Sequence, residues 1–138
     1  MRLRRARLRS GSEEGAAAVE FALVVPLLLT LLFGIVELGT AYNAQILVTN
    51  AAREAIRAAN VAESATSVDA RRAAADTAAS TTLDIIGVDI ESMTFSQPLD
   101  CAAPATQSVT VEVRKPLLTG LFGATFDLSG KATRLCAG

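Results

Sequence analysis

The sequence predicts an α+β fold: a long N-terminal helix that crosses a membrane and extends outward, a second helix, and a small antiparallel sheet of about three strands. Three observations carry this. A 23-residue apolar run, Ala16–Leu38, is interrupted only by Glu20, Thr30 and Glu37. Beyond it, small residues recur at spacings of three and four, which is helical periodicity. After Val88 the composition changes, and apolar residues alternate with polar ones as they do in strands.

The apolar run comes first. As helix it measures roughly 34 Å at ~1.5 Å per residue, enough for a hydrocarbon core of ~30 Å. A soluble core helix rarely needs so long a run that is apolar all round. Pro26 lies inside it, and helices in bilayers tolerate this because neighbouring helices accommodate a kink. Arg2, Arg4, Arg5, Arg7 and Arg9 precede the run, and the next basic residue is Arg53. Arginine-rich flanks stay in the cytoplasm, so the N-terminus is expected inside and everything after about Leu38 outside. The net charge of −1 hides this split. Residues 1–15 hold five of the thirteen basic and two of the fourteen acidic residues, leaving eight against twelve in an exported part that is mildly acidic. A basic arm also suits nucleic acid. Beside a membrane span the topogenic reading is preferred, with the lipid bilayer as partner and no nucleic acid.

After Gly39 the helix continues. Ala41, Ala44, Val48, Ala51, Ala55, Ala59 and Ala62 form a narrow stripe of mostly small side chains, over which another helix or a sheet can approach closely. Thr66 and Ser67 are N-cap candidates and Asp69 suits the first turn of a second helix over Ser67–Leu83, with Gly87 as its stop. Val88–Phe95 then alternates with a slip at Ser92. Ser108–Arg114 alternates cleanly, Val109, Val111 and Val113 on one face. Thr125–Leu135 is the third strand, which Ser129-Gly130-Lys131 is expected to bend. Gln97–Gln107 reads as a loop, and Lys115–Phe122 as an apolar surface loop or a short helix with Pro116 at its first position. The expected organisation is a basic leader at 1–15, a membrane helix at 16–38, its outward extension at 39–65 and a small α+β domain at 66–138.

The chain has no His, its acids are scattered along helix surfaces, and no Gly-rich phosphate loop follows a strand. An enzyme, a cofactor and a metal site are therefore not expected. The two cysteines, Cys101 and Cys136, fall on the outer side, where a disulfide between them suits a small domain with a thin core. Two unlinked thiols are the alternative. Neither cysteine has the spacing of a metal ligand.

The most specific signal is the junction Gly15-Ala16-Ala17-Ala18-Val19-Glu20-Phe21, which follows the basic leader. Here the sequence resembles prepilins, and more closely the TadE-like pseudopilins of tight-adherence (Flp, type IVc) pilus systems. The resemblance runs from Gly15 to about Arg57. It includes Pro26, the Gly34-Ile35-Val36-Glu37 stretch and TNAAREAIR at Thr49–Arg57. Main Flp pilins are shorter and usually carry Tyr beside the Glu, so Phe21 and the long exported part fit the minor class.

The resemblance implies a pilin-like fold in the cytoplasmic membrane, with the cell surface or pilus as a further location. It implies cutting by a prepilin peptidase between Gly15 and Ala16. It also implies partnership with other pilins, pseudopilins and inner-membrane pilus assembly proteins. Cutting frees the Ala16 amine, and Glu20 then pairs with that amine on a neighbouring subunit. A carboxylate deep in lipid costs ~2.5–3.5 kcal/mol on insertion scales. The alternative is a Glu20 that sits near the headgroups and is simply solvated. Phe21 belongs to the same junction. Glu37, 17 residues after Glu20, is expected either to reach the outer interface or to mark a helix contact. Two further readings stand beside the pseudopilin. One is a secreted protein cut near Gly39-Thr40-Ala41, and the other is a single-pass anchored binding protein that never enters a pilus.

Overall fold

The computed structural model describes residues 11–62, 67–96, 106–118, 120 and 124–135. Cys101 and Cys136 lie outside the described residues. The chain divides into two compact units, one ending at Val36 and the other beginning at Glu37.

Helix α1 spans Gly11–Val61. It begins earlier than the apolar pattern, which starts at Ala16. Glu14 in its first turn suits the positive end of the helix dipole, so polar residues extend the helix backward. In the first unit every described side chain from Glu14 to Val36 is exposed except the half-buried Val25. Pro26 lies within the helix and has no N–H to give to the carbonyl one turn back. Its own carbonyl accepts an additional bond from the Thr30 hydroxyl, at 2.8 Å.

The second unit is a two-layer α+β domain. The α1 residues Ala44, Val48, Ala51, Ala52, Ala55, Ile56 and Ala59 are buried. The small-residue stripe is thus packed, and it is wider than its three–four spacing predicts because Ala52 and Ile56 join it. Helix α2 spans Val68–Leu83. Its N-cap is Ser67, whose hydroxyl accepts the Ala70 N–H at 3.2 Å and satisfies one of the donors that a helix start leaves open. Ala75, Ala79 and Leu83 recur every fourth residue and form its buried edge. A 3-10 turn at Asp84–Ile86 follows, and Gly87 ends it with φ 62°, a left-handed conformation that favours glycine.

The sheet has three strands, β1 (Ile90–Phe95), β2 (Thr106–Pro116) and β3 (Thr125–Leu135), antiparallel in the order β1-β2-β3. Val109, Val111, Val113 and Ala132 point into one core with the helix residues, and Ile90, Met93, Phe95 and Leu128 pack at its margin. Glu112, Arg114, Asp127, Ser129, Lys131 and Thr133 are exposed. This is the alternation of a sheet covered on one face only.

Several sequence readings shift. Strand β2 takes in Thr106 and Gln107, read as loop, and Lys115 and Pro116, read as a loop or the start of a short helix. The slip expected at Ser92 appears as a register change between Ile90 and Ser92, and the strand starts at Ile90 rather than Val88. Val88 is nevertheless buried in the core. Gly130 does not bend β3, which pairs without a break with β2 from Thr125 to Leu135. A Cβ at position 130 would meet the carbonyl of Val48 and lie 2.7 Å from the Thr49 backbone nitrogen. Glycine is there because helix backbone sits directly on the strand.

Candidate functional site

The residues singled out by the sequence fall on two stretches of α1. Gly15, Ala16, Glu20 and Phe21 lie in the first unit. Ala16 and Glu20 are four apart, so they share a helix face about 6 Å apart along the axis. Glu20 is exposed, and Phe21 leaves 70% of its surface open. The exposed face continues through Leu23, Leu27, Leu28, Leu31 and Phe33. The most apolar 18-residue window of this helix has a mean hydropathy of 2.5, with none of it buried. By length and composition it is fit to cross a membrane. Among the described residues, nothing lies within 4 Å of where a Cβ would stand at Gly15, Gly34 or Gly39. Packing within the chain therefore does not call for glycine at these positions.

Glu37 behaves differently. It is buried, and its Oε1 accepts the backbone N–H of Leu118 at 2.7 Å. Leu118 lies in the β2–β3 connection, 81 residues away in sequence. The sequence suggests a carboxylate at an open interface or at a helix contact; the bond to Leu118 is not among those expectations. The acid holds a turn of the second unit. Higher on the same helix, Gln45 Nε2 donates to the Ser129 carbonyl at 2.7 Å. Sequence reasoning did not single out Gln45 or Leu118, and it read Gly130 only as part of a bend. The presence of glutamate and glycines around the end of the apolar run was the only hint.

The outer face of the sheet carries the charge cluster of the domain. Arg114 Nε donates to Asp127 Oδ1 at 2.8 Å, and its guanidinium lies 3.1 Å from Glu91. The hydrogen bond to Asp127 and then the charge of Glu91 raise the Arg114 pKa above its ordinary value. Ser92 donates to Glu112 beside them at 2.7 Å. These groups are exposed and pair with one another across β1, β2 and β3 as cross-strand neighbours do.

A long apolar helix, a second helix and a three-stranded antiparallel sheet make a pilin-like layout. Residues 15–57 match the family model of TadE-like proteins. That segment, 43 of the 138 residues, is similar to TadE-like proteins. The match covers the same residues as the resemblance read from the sequence and stops before α2 and the sheet. No curated protein and no solved structure matches the chain.

Proposed function

We propose that this protein is a minor pilin, or pseudopilin, of a tight-adherence (Flp) pilus system. A prepilin peptidase cuts it after Gly15, and its membrane helix acts in pilus assembly. One observation carries the reading: the TadE-like segment begins at Gly15, where a basic leader gives way to an apolar helix whose surface is uncovered. An uncovered apolar helix is suited both to lipid and to other helices. The open space around Gly15 supports a requirement from outside the fold, such as a protease subsite that admits no side chain. Gly34 and Gly39 are small residues of the kind through which membrane helices approach closely.

In this reading the arginines of the leader keep the N-terminus in the cytoplasm and the second unit is exported. Cutting places the new Ala16 amine one turn from the exposed Glu20, and the two serve as opposite charges for contacts between neighbouring helices, with Phe21 beside them. Inside the exported part Cys101 and Cys136 pair as a disulfide. Alkylation of the protein as isolated then leaves both thiols unmodified until a reductant is added, and labelling of both without reduction would rule the bond out.

N-terminal sequencing of the membrane-bound protein, with and without a prepilin peptidase in the same cells, tests the reading. A mature chain beginning at Ala16 only when the peptidase is present is the expected result. A chain beginning at Tyr42 identifies a cleaved signal peptide, and one that keeps Met1 in the presence of the peptidase identifies an uncut anchor; either overturns the proposal.

A further inference from the structure

Within the second unit the β2–β3 hairpin lies along α1, with its turn at the Glu37 end. Two ties set this arrangement. Leu118 N–H bonds to Glu37, and Gln45 bonds to the Ser129 carbonyl next to the Gly130–Val48 contact. From Glu37 to Gln45 the helix rises about 12 Å at ~1.5 Å per residue. From Thr125 to Ser129 the strand advances about 13 Å at ~3.3 Å per residue. The turn is thus tied at Glu37 and β3 at Gln45, so β3 runs in the direction from Glu37 to Gln45. The turn is held by the Leu117 N–H to the Ala124 carbonyl at 3.2 Å and the Gly120 N–H to the Leu117 carbonyl at 3.1 Å.

Among the described residues, several exposed side chains at this end of the domain are apolar. Pro116 is exposed and Leu118 leaves 62% of its surface open. On α1, Leu38, the last residue of the apolar run, and Tyr42 one turn on are both exposed. Lys115 is half-buried just before the turn. Apolar residues, a tyrosine and a lysine at one level suit the boundary between hydrocarbon and headgroups.

We infer that the hairpin turn at Pro116–Leu118 rests in the outer headgroup region of the bilayer, as a second lipid contact beside the helix. The occupant of this surface is phospholipid, because the turn is tied to Glu37, next to the exposed Leu38 that ends the apolar run. The inference rests on the reading of α1 as a membrane span. It also accounts for Glu37. At the edge of the hydrocarbon both a carboxylate and the N–H of a turn need a partner, and here each satisfies the other.

The chain contains no Trp, so Leu118→Trp provides a single reporter in the full protein, reconstituted in phosphatidylethanolamine–phosphatidylglycerol vesicles. Its emission is expected to be blue-shifted and to lose most of its intensity to lipids carrying a nitroxide near the headgroup, with little loss to lipids carrying it near the chain end. Leu28→Trp, within the apolar run, is expected to show the reverse preference, and Thr133→Trp, at the far end of β3, no quenching by either. Quenching of Leu28→Trp without quenching of Leu118→Trp overturns the hairpin contact and leaves the span standing. No quenching of Leu28→Trp removes the span and the inference with it. A blue-shifted Leu118→Trp that lipid nitroxides do not quench places the turn against protein instead, and also overturns the inference. If Leu118→Trp fails to fold, Pro116→Trp reads the same depth.

Discussion

The backbone of Val48 in α1 lies directly on Gly130 in β3, and a Cβ at 130 would stand 2.7 Å from the nitrogen of the following residue, Thr49. Val48 is fully buried, and Gly130 pairs with the equally buried Val111 on β2. Helix and sheet therefore meet main chain to main chain at this point. The neighbouring Gln45–Ser129 bond fixes the position of the contact along the strand.

Gly130→Ala is expected to destabilise the second unit by about 1–3 kcal/mol, because the added methyl group forces backbone rather than a flexible side chain to move. For a domain of about 100 residues each kcal/mol lowers the melting temperature by about 4–8 °C. Thermal unfolding of the purified full chain in detergent measures it. An unchanged melting temperature would show that the helix is not seated on the strand.

Glu37→Ala removes the acceptor of the Leu118 N–H. Loss of this part-buried bond costs about 0.5–1.5 kcal/mol. Amide hydrogen exchange at Leu118 should accelerate, while exchange at Val111 in the sheet centre should follow only the global stability. Glu37→Gln keeps a carbonyl oxygen and should retain part of the protection. Equal exchange at Leu118 in all three proteins would mean that the bond does not form in solution.

Arg114 makes an electrostatic prediction with a definite sign. Its pKa is raised by Asp127 and Glu91. A cation whose folded pKa exceeds its unfolded value stabilises the fold fully below the unfolded pKa and loses this only as pH rises through the folded one. Both values lie far above neutrality, so titration of Arg114 itself contributes no pH dependence to melting across the neutral range. Salt is the relevant variable, since exposed pairs are screened. Arg114→Gln should lower the melting temperature slightly in low salt, and the difference should shrink in high salt. A difference independent of salt would assign the effect to packing.

Glu20→Ala should leave peptidase cleavage and membrane insertion intact and impair assembly. Sheared surface pili, quantified beside the amount of mature protein in the membrane fraction, provide the measurement. Wild-type levels of pili would reject the pairing of Glu20 with a neighbouring amine.

Several elements were legible because the signal was local. The apolar run has the length of a span, the Ala44–Ala59 stripe has helical spacing, and Ser67 stands where a helix start needs an acceptor. Val109, Val111 and Val113 alternate because one face of β2 is buried. The junction at Gly15–Phe21 was recognisable as TadE-like since its parts stand next to one another in the chain. The start of α1 at Gly11 and of β1 at Ile90 were less legible. Polar residues extend a helix without an apolar pattern, and the irregularity between Ile90 and Ser92 breaks the alternation that marks a strand.

By itself the sequence determined the kinds of element, their order and the TadE-like N-terminal segment, since backbone periodicity and neighbouring motifs are properties of a few consecutive residues. Tertiary structure alone decided what Gly130 and Glu37 do. Read locally, a glycine within a strand looks like a bend and a glutamate at the end of an apolar run looks like a solvated charge. Their roles depend on Val48 and Leu118, each about 80 residues away along the chain. Which distant backbone groups come together is set by the packing of the whole domain, and this leaves no mark in the spacing of nearby residues.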